Sequence, residues 1–488
     1  MRNSCTVFAS MVSGRWWLAV FLLLLFAACS GPAVPGAPGD DQQQLPPSSG
    51  AITHTVRVLL DPSDRTGQIE AAYGGTVLVW HDYDTAGSGS GLQPFAVVAV
   101  SLNGSVEQLG RGGLEPCPEE ALIAVPVACI EENERSLIAG AERLTPESTD
   151  HLSQVDNEGR STIWNEGSWI ADEGRSTIWN EGEFSWQPEN TDLWSRLQLE
   201  LAHNATLAGN LGRGVLVAVI DTGVDLQHPQ LRTHLAPEEL WLDVVDGDLI
   251  PQEEGDFESS PAYGHGTNVA GIIRQVAPEA QILPIRVLGP DGGGYVADLI
   301  VAIEHAITAG ADIINLSLGS ARRSEALSSV VARAAERGVF VVMAAGNSGR
   351  EVTFPASESR EANRPGHALR LTVTSVDDKD IRSDFAAYGF PVGLAAPGEG
   401  VWGPAPELHT AAWTGTSMTA PMAAGALALA LGESGRLSAT RTDLIDRLSI
   451  TGADPYELEA NRPYQVWQQL GSSRLDYWRF LDDVLDAH

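Results

Sequence analysis

The chain has 488 residues, 43% hydrophobic and 19% charged, enough to bury a full-sized core and form more than one domain. Asp and Glu outnumber Lys and Arg 64 to 30, for a formal net charge of −34. That balance favours solubility and excludes a general affinity for nucleic acid or anionic lipid surfaces.

Residues 1–28 read as a targeting segment rather than as part of a fold. Arg2 and Arg15 precede WWLAVFLLLLFAA, an apolar run over 16–28. It is too short to span a bilayer comfortably and has the length of a signal-peptide core. It ends in Phe26-Ala27-Ala28-Cys29. This resembles the lipobox of bacterial lipoprotein signal peptides, with phenylalanine where the motif usually has leucine. The resemblance implies that Cys29 is lipidated and becomes the mature N-terminus, held by more than one acyl chain. The alternative is an ordinary signal peptide ending beside a chance cysteine. Ser30 favours outer-membrane sorting in a two-membrane cell. Residues 29–50 are rich in Pro, Gly and Gln, cannot form a core, and read as a stalk that lifts the fold off a membrane.

Residues 51–150 carry strand-like runs at 54–60, 75–82 and 94–100, separated by Gly, Ser and Asp. They predict a small β-rich or α+β domain. Of the four cysteines, Cys5 leaves with the signal and Cys29 is the lipidation candidate. Cys117 and Cys129 remain as one pair, expected as a disulfide outside the cytoplasm, with two free thiols as the alternative. Residues 151–193 are acidic and tryptophan-rich. EGRSTIWNEG occurs at 158–167 and again at 173–182. Two copies are too few for a solenoid, so the segment reads as a duplicated linker or as a processing or docking site.

From about residue 194 to 488 the texture changes. Apolar strands are expected at 215–220, 282–288, 311–318 and 339–345, with helices at 268–276, 297–310 and 324–338 between them. Fully apolar strands alternating with helices predict a doubly wound, mostly parallel α/β sheet covered on both faces. Binding sites in such sheets sit at the carboxyl ends of the strands. Asp221 in AVIDTGVD and Asn347 in AAGNSG follow apolar strands, while His265 in GHGTNVAG and Ser417 in GTSMTAP stand at helix starts, edges that converge on one rim of such a sheet. Each alone has a plain reading as a turn residue or, for Ser417, a helix cap. Together they supply a nucleophile, a base, an orienting carboxylate and an oxyanion donor. The Ser417 backbone N–H joins the Asn347 amide as candidate oxyanion donors.

These four motifs, with RVLGPDGGGY (286–295), INLSLGS (314–320), FPA (354–356) and LAAPGEG (394–400), resemble the subtilase (subtilisin-like serine protease) family over residues 194–480. The resemblance implies a serine endopeptidase with the triad Asp221, His265 and Ser417 and the oxyanion asparagine Asn347. It further implies a substrate cleft lined by Gly292, Gly293 and Gly294 on one side and Ser317, Leu318 and Gly319 on the other. An extended peptide would add between those segments as a strand. Asn268, Thr419 and Met422 depart from common family residues without touching the triad. Gln230 stands where many members have a calcium-binding aspartate, and an amide is a weaker ligand for a hard cation. No cofactor or metal is expected in the chemistry, and structural calcium is not assignable.

The expected protein is therefore an extracytoplasmic, monomeric endopeptidase acting on proteins or peptides. It would be lipid-anchored at the cell surface or outer membrane, or secreted. Residues 51–150 read as a propeptide, cut off within 151–190, or as a permanent binding module. A catalytically silent surface-binding protein that keeps the fold is the rival from another class. A metalloprotease is unsupported, since GHGTN lacks a second histidine at helical spacing.

Overall fold

A computed structural model describes residues 54–60, 65–73, 75–81, 94–100, 115–116, 128–132, 135–138, 187–206, 210–360 and 366–485. The targeting segment with Cys29, the 15-residue repeat and Cys117 lie outside these residues, as does the Cys129 side chain. Among the described residues no helix is long and apolar enough to cross a membrane.

The N-terminal runs form strands within a residue or two of the expected bounds. They are β1 (His54–Leu59), β2 (Thr76–His81) and β3 (Phe95–Val100), and the structure adds helix α1 (Thr66–Tyr73) and the strands β4 (Glu115–Pro116), β5 (Ala128–Glu132) and β6 (Arg135–Ile138). Five of them make one sheet in the order β2-β3-β1-β5-β4. Successive strand residues face opposite ways. Accordingly Ala96, Val98 and Val100 of β3 pack with Val56, Val58 and Ile69, while Phe95 and Val97 join the core of the larger domain. β6 leaves this sheet and pairs elsewhere.

The larger domain begins its packing at Gln187 and Asn190, which bond to Gln275 and to the carbonyl of Trp402. Helices α2 (Thr191–Arg196) and α3 (Leu199–Ala205) come next. The alternating core follows: β7 (Leu216–Asp221), β8 (Leu242–Asp243), α4 (His265–Val276), β9 (Gln281–Arg286), β10 (Gly293–Tyr295), α5 (Val296–Thr308), β11 (Ile313–Leu316), β12 (Leu318–Gly319), α6 (Glu325–Glu336) and β13 (Phe340–Ala344). The chain ends with β14 (Arg370–Val376), β15 (Leu394–Pro397), a hairpin of β16 (Val401–Ala405) and β17 (His409–Trp413), then α7 (Thr419–Gly432), α8 (Leu444–Ile450) and α9 (Tyr477–Val484).

Seven strands lie in the order β15-β14-β13-β11-β7-β9-β8, and every neighbouring pair is parallel. The strands are apolar throughout because both faces are covered. Val217 and Val219 of β7, with Phe340 and Val342 of β13, point to the side of α4 and α7. Ala218, Ile220, Val341 and Met343 point to the side of α5 and α6. Helix α7 is buried from Thr419 to Leu431, which explains its Ala/Leu composition all round. The polar N-cap Ser324 accepts from Leu327 N, and Gly338 at φ 82° ends α6 as expected. From β7 the chain builds outward in both directions, which opens a crevice at the carboxyl ends of β7 and β11.

Candidate active site

Asp221 is the last residue of β7, one position earlier relative to the strand end than expected, and is fully buried. His265 is the first residue of α4 and 1% exposed. Its Nδ1 lies 2.7 Å from Asp221 Oδ1. The same oxygen accepts from Thr222 N at 2.8 Å, which fixes the carboxylate plane. Gly266 lets the helix start come this close: a Cβ there would sit 2.1 Å from the Gly223 carbonyl oxygen. His265 Nε2 is buried without a hydrogen-bond partner. The Trp413 ring meets the imidazole edge-on, 5.1 Å between centroids, and restricts its rotation.

Ser417 does not cap a helix. It sits in a turn, Thr416–Met418, two residues before α7, whose N-cap is Met418 with no side-chain bond. Ser417 and Ser317 hold one another: Ser317 Oγ donates to Ser417 O at 2.8 Å, and Ser417 Oγ donates to Ser317 O at 3.2 Å. Asn315 Nδ2 braces Ser317 Oγ at 3.0 Å. The nucleophile candidate is thus tied to the segment just beyond β11.

Asn347 follows β13 by three residues. Its Oδ1 accepts from Thr416 N at 2.9 Å and from Thr416 Oγ1 at 2.8 Å. Its carbonyl end is therefore occupied, and its NH2 end faces Gly415, where a Cβ would lie 2.8 Å from Nδ2. A side chain at 415 would fill the space beside the amide.

The two glycine-rich cleft segments also come together. Gly293 and Gly294 lie in β10; Leu318 and Gly319 form β12. Between them runs β6, antiparallel to both, with Leu137 opposite Gly293 and Gly319, Ser136 opposite Gly294, and Ile138 opposite Leu318. Gly292 and Ser317 flank these strands.

Several residues went unnoticed in the sequence. Thr416 orients Asn347, and Trp413 packs on His265. Glu253, fully buried, accepts from Thr222 Oγ1, Gly264 N, Thr267 N and Thr267 Oγ1. Burial pushes its carboxyl up to about 7, while the threonine hydroxyls pull it back. In the string QEEGDFE it looks like part of a solvated acidic loop, so no local signal marks it. Gln230 is buried with neither amide atom hydrogen-bonded. Among the described residues no three His, Cys, Asp or Glu gather as a metal-ligand set.

A buried carboxylate–imidazole pair at the switch point of a doubly wound sheet, with a serine held to the end of the neighbouring strand through Ser317, has the parts of a serine-type hydrolase. The subtilase family model matches residues 212–463. Over 245 residues the chain is 36% identical to Subtilisin BL of Lederbergia lenta, covering 48% of this chain and 81% of that protein. It is 35% identical to Thermitase of Thermoactinomyces vulgaris over 256 residues, 49% and 84% of the two chains. It is 34% identical to the major intracellular serine protease of Bacillus subtilis over 239 residues, 45% and 69%. The chain belongs to the subtilase family and is a serine-type endopeptidase.

Proposed function

We propose that this chain is an extracytoplasmic proenzyme that hydrolyses peptide bonds of proteins through Asp221, His265 and Ser417. The observation that carries the reading is the 2.7 Å Asp221–His265 pair, buried on the same rim as Ser417. Ser417 Oγ attacks the scissile carbonyl carbon while its proton passes to His265 Nε2. Asp221 holds Nδ1–H and stabilises the imidazolium. The carbonyl oxygen, now an anion, is received by the Asn347 NH2 and the Ser417 N–H. As the C–N bond breaks, His265 returns the proton to the leaving amine. Water then repeats the sequence on the acyl-enzyme and frees Ser417. No cofactor takes part.

The proenzyme reading rests on β6. A strand already lying antiparallel between β10 and β12 has the geometry of an added peptide, and it belongs to the N-terminal domain. That pairing favours a first cut shortly after Ile138 rather than within 151–190. The signal peptide, lipid on Cys29, the stalk, the Cys117–Cys129 bond and monomeric action complete the reading; their support is the sequence alone.

The test is fluorophosphonate labelling of the full chain beside Ser417→Ala, with N-terminal sequencing of the labelled product. Label on Ser417 of a chain lacking β6 supports both parts. Label on a chain that retains residues 51–138 would refute the proenzyme. No label on folded, processed protein would refute the nucleophile.

A further inference from the structure

The hydroxyls around Glu253 give its role. Thr222 Oγ1 lies 2.5 Å from Glu253 Oε1 and accepts from Gly266 N at 2.9 Å. Its own hydrogen is left to donate to the carboxylate. Thr267 Oγ1 accepts from Asp225 N at 2.8 Å, so its hydrogen is likewise left to donate to Glu253. Gly264 N and Thr267 N complete four donors at 2.8 Å and 3.0 Å for the two backbone bonds. Four donors aimed at the group favour the ionised carboxylate, opposing the burial that pushes its carboxyl up to about 7. The first turn of α4 faces it, and the positive end of the helix dipole favours that charge.

The donors come from two elements. Thr222 follows Asp221 directly; Gly264 and Thr267 flank His265. Glu253 is itself anchored through the Val224–Gln252 bridge, with Glu253 N donating to Val224 O at 3.2 Å. Its neighbour Glu254 pairs with Arg286 Nη2 at 2.9 Å, and Arg286 is opposite Asp221 in the sheet. The charged and titratable groups around it are Asp221 and Asp225 from the β7 end, His265 from α4, Tyr263 from the preceding loop, and the Glu254–Arg286 pair.

We propose that Glu253 is a positioning residue: its carboxylate clasps the turn after Asp221 to the first turn of the His265 helix and so sets the Asp221–His265 hydrogen bond. It touches neither substrate nor the reacting atoms. The proposal rests on the triad reading above.

The test uses Glu253→Gln, Thr222→Val and Thr222→Ser in the full, self-processed enzyme. Steady-state peptide hydrolysis is followed across pH, with fluorophosphonate labelling of the unaltered protein as reference. In Glu253→Gln the amide NH2 must face a backbone donor. kcat is expected to fall about 10- to 100-fold with KM within twofold. Loss of a nearby anion makes the imidazolium less favourable, so the acid limb of kcat/KM moves to lower pH. Thr222→Val removes the bond from the Asp221 turn to Glu253 together with the acceptor of Gly266 N, and kcat should fall about 3- to 10-fold with KM unchanged. Thr222→Ser, which keeps the hydroxyl, should restore it. If Glu253→Gln fails to fold, the Thr222 pair decides. A folded Glu253→Gln with unaltered kcat and pH profile, or Thr222→Val with unaltered kcat, overturns the proposal. If the unaltered enzyme takes no label, the triad reading fails instead.

Discussion

Thr416 offers a graded test of the oxyanion site, because its hydroxyl does two jobs. It donates to Asn347 Oδ1 at 2.8 Å, beside the Thr416 N–H at 2.9 Å, and accepts from Gly346 N at 3.0 Å. Thr416→Val keeps the shape and removes only the hydroxyl. Asn347 loses one of two neutral anchors, worth about 0.5–1.5 kcal/mol net. At about 1.36 kcal/mol per tenfold, kcat should fall about 2- to 13-fold, with little change in KM. The Gly346 N–H becomes a buried donor without an acceptor, which costs about 1–3 kcal/mol of folding stability. Hydrolysis of a chromogenic peptide reads the first effect. Urea unfolding in a Ser417→Ala background, which prevents self-digestion, reads the second. Thr416→Ser should retain both. Removing a whole oxyanion donor costs about 10²–10³ in kcat in subtilisin, and Asn347→Ala should lose that much. If Thr416→Val instead raised KM at constant kcat, or lost as much as Asn347→Ala, the anchoring argument would be wrong.

Other consequences follow from packing, charge and the cleft. A Cβ on Gly271 would lie 2.0 Å from Pro404 Cδ, where α4 crosses β16. Gly271→Ala should lower stability by about 3 kcal/mol or more through overpacking, and a melting temperature equal to that of the parent would contradict the contact. His228 is buried, and desolvation pushes its pKa down to about 4 from 6.5. The fold thus holds it neutral, so its stabilisation is present above pH 6.5 and is lost as pH falls toward 4. The full loss is about 3 kcal/mol. Urea unfolding at pH 7 and pH 4 should show a smaller acid decline in His228→Asn, and equal declines would remove His228 as the cause. Sequencing of the mature N-terminus should find the first cut within a few residues after Ile138, and a first cut inside 151–190 would mean that β6 is not the strand presented for processing.

The sequence by itself determined the alternating strands and helices between 215 and 345, except that the run expected as one strand over 311–318 is split at Ser317 into β11 and β12. Continuous apolar runs such as VLVAVI and VFVVMAA specified buried parallel strands, and their ends fell within one or two residues of the observed ones. That signal is local, because burial on both faces removes the polar half of a strand's alternation. Asp221, His265, Asn347 and Ser417 were legible because each stands at an element edge in a small-residue motif. Tertiary structure decided what those residues do to each other. Asp221 and His265 are 44 positions apart, and the paired serines 317 and 417 are 100 apart. No periodicity reaches that far. Glu253 is the clearest case: among acidic neighbours it reads as solvated, yet donors from two remote elements make its burial tolerable. β6 is another, since a short strand has no preference for the domain it joins until two strand edges, β10 and β12, offer their backbone on either side.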